Sequence, residues 1–131
     1  TFTLEIGMRR PLGVGTGSLA ILSALPEEEI QKVVAANTGR LPEYGLNPGA
    51  LFTLVKRSQK LGYAMREVPG LAGVRSVGQA LRNQSGIAFA ALSVSTITSR
   101  MSDKRAIEIA QLLKGESRQI ERQLVRGAEN R

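Results

Sequence analysis

Gly86-Ile87-Ala88-Phe89-Ala90-Ala91-Leu92-Ser93-Val94-Ser95 is an apolar run that ends in two alternate serines. Small hydroxyls at the polar end of a buried strand can floor a ligand pocket. Side chains alternate across a strand, so Ile87, Phe89, Ala91, Ser93 and Ser95 are expected on one face, and Ala88, Ala90, Leu92 and Val94 on the other. Apolar residues on both faces predict a central strand covered on both sides. A hydrolase or transferase using Ser93 or Ser95 would need a base. The chain has no histidine, and no Lys, Asp or Glu is placed by sequence beside these serines. Hydrogen bonding to a ligand, not acyl transfer, is the chemistry they suit.

Two further groups fall in with them. Val74 to Arg82 reads as a strand, and Asn83-Gln84-Ser85-Gly86 as a hairpin connection into the serine-ended strand. Val74 and Ser76 then point the same way, and the count from the loop sets Ser76 near the level of Ser93. Cross-strand neighbours lie within about 5.5 Å, so the hydroxyls are expected to converge. Arg66, on the strand before, would supply a positive group. The alternative is that the serines bond backbone at a strand end and Arg66 is solvated.

The other feature is Gly13-Val14-Gly15-Thr16-Gly17-Ser18, a glycine-rich turn that opens a helix. Backbone amides at such a start can hold an anion. The third glycine of a dinucleotide fingerprint is Ser18 here, and there is no Gly-Lys-Ser/Thr for a P-loop. A close-approach surface for a small anionic ligand is the better reading.

The elements that must position these groups follow from periodicity. Phe2, Leu4 and Ile6 alternate with polar residues as a first strand that should join the sheet, and Leu19 to Leu25 reads as a short buried helix capped by Thr16 or Ser18. Pro26 before three glutamates starts a helix with Ile30, Val33 and Val34 inward, stopped at Asn37 to Gly39 and followed by a loop through Leu41 and Tyr44. Asn47-Pro48 caps a helix with Leu51, Leu54, Val55, Ser58 and Leu61 on one face, closed by Gly62. Tyr63 to Val68 is a strand and Pro69-Gly70 a turn. A last helix starts near Ser102-Asp103 and passes Ala106, Ile109, Leu113, Ile120 and Leu124, with a frayed tail from Gly127. Blocks of helices and antiparallel strands give an α+β fold, an antiparallel sheet flanked by helices.

Composition narrows the function. The chain has 131 residues, 42% of them hydrophobic, which suits a single domain, residues 1–131, with one core. It carries neither cysteine nor histidine, so disulfides, thiolate chemistry, ordinary zinc sites and histidine bases drop out together. No cofactor and no metal are expected. The formal net charge of +7 is scattered along the chain, with few close pairs and no Trp, so it is expected to give solubility and attraction to anions before direct nucleic-acid binding. No apolar run nears the ~20 residues that span a bilayer, and no secretory signal opens the chain, so no membrane and a cytoplasmic location are expected. The absent initiating Met suggests a fragment of a longer protein.

Several segments, in order and at matching spacing, resemble the effector-binding domain of IclR-type bacterial transcription regulators. These are Arg10-Pro11-Leu12, the small-residue turn, Leu25-Pro26-Glu27-Glu28-Glu29, Gly62-Tyr63-Ala64, Gly73-Val74-Arg75-Ser76-Val77 and Ala90-Ala91-Leu92-Ser93-Val94-Ser95. The resemblance covers approximately residues 4 to 125. It implies a GAF-like (profilin-like) sensor domain, truncated at its N-terminus, that takes a small carboxylate effector and forms homodimers or tetramers. DNA would be bound only through a winged helix-turn-helix domain outside this chain. The family's effector pocket falls by motif position on Thr16 and Gly17, Arg66, Val74, Ser76, Ser93 and Ser95. Members are usually acidic around Arg66, so a basic residue there implies an anionic effector held by charge-assisted hydrogen bonds. An oligomerisation module without a working pocket is the alternative.

Overall fold

A computed structural model describes residues 5–67 and 72–130. It holds three helices, α1 (Thr16–Ser23), α2 (Glu27–Asn37) and α3 (Pro48–Leu61), then strands β1 (Ala64–Glu67), β2 (Val74–Arg82) and β3 (Ala88–Ile97), then α4 (Asp103–Glu129). The expected strand residues Phe2 and Leu4 and the Pro69-Gly70 turn lie outside the described residues. Glu5 and Ile6 are not in a strand; Ile6 begins a turn.

Local chemistry explains most boundaries. Glu27, Glu28 and Glu29 crowd the first turn of α2 behind Pro26, where negative charge meets the positive end of the helix dipole. Asn47 caps α3, its side-chain oxygen accepting from Ala50 N at 2.8 Å, and Gly62 ends it with φ at +83°. Ser102 caps α4 by accepting from Arg105 N at 3.1 Å. α2 stops at Asn37 as expected, and the loop that follows is a 3₁₀ segment over Thr38–Tyr44 with Leu41 fully buried. Two expectations need correction. The tail from Gly127 remains helical to Glu129. Neither Thr16 nor Ser18 stands at the N-cap of α1, which is Gly15; the Ser18 hydroxyl works from inside the first turn, accepting from Gly13 N and Gly15 N, each at 3.1 Å.

The three strands form one antiparallel sheet in the order β1-β2-β3. Successive residues of β2 therefore look onto different layers. On one face lie α1 and, behind it, α2 and α3, around a core that includes Leu19, Leu22, Ile30, Leu41 and Leu51. On the other lies α4, whose Ala106, Ile109, Ala110 and Leu113 pack with Met65, Val77 and Met101. The α+β architecture is as expected. The expected position of the serine-ended strand is not. Among the described residues β3 is an edge strand, and Phe89, Val94 and Ile97 are exposed; α1 lies over both β2 and β3, whereas α4 packs mainly on β2.

Candidate functional site

The site begins where α1 comes down on the sheet. A Cβ built on Gly78 would meet the Thr16 carbonyl oxygen at 3.0 Å, so only glycine lets the helix entrance sit this close without displacement. Gly17 similarly lies over β3, its absent Cβ 3.5 Å from that of Ala91. Thr16 is buried at this contact.

Beyond the helix start the same face of the sheet carries a polar row. Arg66 of β1 stands opposite Ser76 of β2, and Ser76 opposite Ser95 of β3. The Ser95 hydroxyl donates to the Ser76 hydroxyl at 3.0 Å, and Ser76 is almost fully buried. Arg66 donates through Nη1 to the Val14 carbonyl in the glycine-rich turn, tying β1 to the approach of α1. Burial lowers the pKa of its guanidinium from the ordinary value. The group still remains charged at physiological pH. Ser93 lies one step along β3, opposite Gly78, and is exposed. Val74 lies one step the other way on the same face, opposite Ile97.

The predicted level of Ser76 is corrected: its partner is Ser95, not Ser93. The connection is one residue longer than expected, since Arg82 pairs with Ala88, and the register then slips again because Leu81 pairs with Ala90 and leaves Phe89 unpaired. Each slip of one residue inverts which face a side chain takes, and two restore it. The serines therefore kept their expected face while their partner changed. Phe89 did not: it lines a groove with Leu124 and Val125 of α4, on the side opposite Ala91. A bulge that re-aims one aromatic leaves no mark on an alternating sequence.

What the row can do follows from its donors. Arg66 has further N–H groups besides the one given to Val14, and hydroxyls can donate or accept. A planar carboxylate is the matching guest. In the structure as it stands the row is internally satisfied, serine to serine and arginine to backbone. A hollow that the sequence did not indicate opens at the other end of α1, about 240 Å³, between Ser23, Ser58, Tyr63 and Arg82. Among the described residues no group of His, Cys, Asp or Glu is placed to hold a metal ion, and no helix is long and apolar enough to cross a membrane.

Comparison with known proteins gives the family of this chain and matches its fold. The family model described as bacterial transcriptional regulator IclR C-terminal matches residues 1–122. The HTH-type transcriptional repressor AllR of Salmonella typhi is 27% identical over 118 residues, which cover 88% of this chain and 43% of that protein. AllR of Escherichia coli K12 is 25% identical over the same length. The chain thus spans less than half the length of these curated relatives. Among solved structures, IclR of Thermotoga maritima superposes with a TM-score of 0.80 at 22% identity, over 94% of this chain and 51% of that one. The C-terminal domain of the E. coli transcriptional regulator KdgR gives 0.76 at 24% identity, over 90% and 73%. The two repressors and KdgR are named as transcription regulators, not as enzymes, in keeping with serines that have no base to activate them.

Proposed function

The chain belongs to the IclR C-terminal family of bacterial transcriptional regulators, and from that premise we propose that it is a single ligand-sensing domain whose effector is a small carboxylate. Arg66 pairs with the carboxylate, and the hydroxyls of Ser76, Ser93 and Ser95 hydrogen-bond its oxygens or a neighbouring polar group. Amides at Thr16 and Gly17 hold another oxygen, and Val74 sets the size of the apolar part. The observation that carries this reading is the alignment of Arg66, Ser76 and Ser95 in one row across three strands, at the foot of a helix entrance.

The effector acts by population shift. A ligand that replaces the Ser95–Ser76 and Arg66–Val14 bonds binds one setting of α1 over the sheet better than another. In the full regulator, a homodimer or tetramer in the cytoplasm, that preference is passed to the spacing of separate DNA-binding domains. The internal satisfaction of the row favours one second reading: an oligomerisation module in which the serines and arginine only brace the sheet. Calorimetric titration with a panel of aromatic and short-chain carboxylates tests both. Sensing predicts saturable binding that Ser95→Ala weakens about tenfold, the scale of one charge-assisted hydrogen bond. Undiminished binding by Ser95→Ala and Arg66→Ala removes the row from the site. A panel without binders, with dimers intact by light scattering, favours the oligomerisation module.

A further inference from the structure

The positive charge that looked scattered in sequence gathers on one flank of α4. Lys114, Arg118, Arg122 and Arg126 follow one another at intervals of four residues and are all exposed. Residues four apart are neighbours on a helix surface, so this flank holds three successive like-charge pairs, each of which is destabilising without a partner. Among the described residues the ion pairs involve Lys32, Arg75 and Arg105, and none of the four. The nearby carboxylate of Glu121 is directed elsewhere, accepting from the backbone N–H of Arg82 at 2.8 Å. Arg118, Arg122 and Arg126, with Arg82, the amides of Asn83 and Gln84 and the carboxylates of Glu121 and Glu129, line a groove of about 470 Å³ between α4 and the hairpin tip, four guanidiniums against two anions.

We propose that this flank docks the phosphodiester backbone of duplex DNA, a direct contact made by the sensor domain itself. The four cations span about 18 Å along the helix. At about 3.4 Å of axial rise per phosphate, that length faces some five phosphates of one strand. A protein-binding surface would be centred on aromatic or aliphatic anchors. The groove's own apolar lining is Val125, half-buried, while exposed Phe89 and Leu124 line the groove that adjoins it. Single-stranded nucleic acid would call for a row of stacking aromatics, and Phe89 is the one aromatic lining either groove. The contact carries no base readout, so it adds affinity and orientation beside a sequence-reading domain. It rests on the family only for the presence of DNA, and not on the carboxylate site.

The test is fluorescence anisotropy of this chain with a labelled duplex of arbitrary sequence, from 20 to 200 mM KCl. Binding is expected with a slope of log K against log salt of about −3 to −4, as four neutralised phosphates require. K114Q/R118Q/R122Q/R126Q is expected to lose at least roughly tenfold in affinity at low salt and most of that slope. The charge-matched variant R40Q/K56Q/R57Q/K60Q, which takes charge from the opposite side of the sheet, is expected to bind as the parent does. Should the fourfold variant misfold by circular dichroism, R118Q and R122Q singly are each expected to reduce the slope by about one. Equal weakening by both charge-matched variants, no binding at 20 mM KCl, or competition by poly-glutamate as effective as that by duplex would overturn the proposal.

Discussion

The two faces of β2 divide the molecule's work between alternate residues. Arg75 and Val77 look toward α4, while Ser76 and Gly78 look toward α1. On the α4 side Val77 and Met101 are fully buried, and Arg75 locks the layer. Its guanidinium donates to the Met101 carbonyl at 2.7 Å and pairs with Asp103 at 2.9 Å, fixing the start of α4 to the sheet. On the α1 side the same strand presents a hydroxyl and a bare Cα, the latter under a helix entrance. One face is filled for stability. The other also covers a core, around Leu19, Leu22 and Leu51, but at Ser76 and Gly78 it gives β2 to a hydroxyl and a close approach.

Breaking the filled face should cost the most. Met101→Ala removes a fully buried side chain from the α4 layer and is expected to destabilise the fold by about 2–5 kcal/mol in urea unfolding, with carboxylate affinity unchanged in the folded protein. Gly78→Ala attacks the junction of the two faces. The added methyl presses on the Thr16 backbone, so a loss of about 1–3 kcal/mol is expected, together with weaker effector binding as the α1 entrance lifts. Arg75→Ala leaves the Met101 carbonyl without its donor and should cost about 1–2 kcal/mol. The exposed side of the Arg75–Asp103 pair adds little, and Asp103→Ala alone should change stability by less than about 1 kcal/mol. Ser95→Ala sharpens the contrast from the other side. Stability should fall by only about 1 kcal/mol, the cost of leaving the buried Ser76 hydroxyl without its partner, while effector affinity falls. If Ser95→Ala proved as destabilising as Met101→Ala, the division between the faces would be lost.

The same contrast separates what the sequence disclosed from what it hid. The helices α2 and α3 were legible because Pro26 with its glutamates and Asn47-Pro48 are local signals, and local signals set helix ends. The bounds of β2 were legible from its flanking turns. The partners of Ser76 were not, because a five-residue connection and the unpaired Phe89 each shift the ladder without altering composition. Nor was the edge position that β3 takes among the described residues, since apolar alternation reports which residues resist water and not how many layers arrive to cover them. Leu41 teaches the complement: a residue assigned to a loop is fully buried because the core needed its volume. Of the candidate site, the face shared by Ser76, Ser93 and Ser95 was readable from parity; the place of Arg66 opposite Ser76 and the order across the sheet were not.

The most direct test of the sensing account is amide chemical-shift mapping of the labelled chain during titration with small carboxylates. The account predicts saturable shifts concentrated at Thr16, Gly17, Arg66, Ser76 and Ser95. Shifts confined to the hollow at Ser23, Ser58 and Tyr63, or none across the panel, would contradict it.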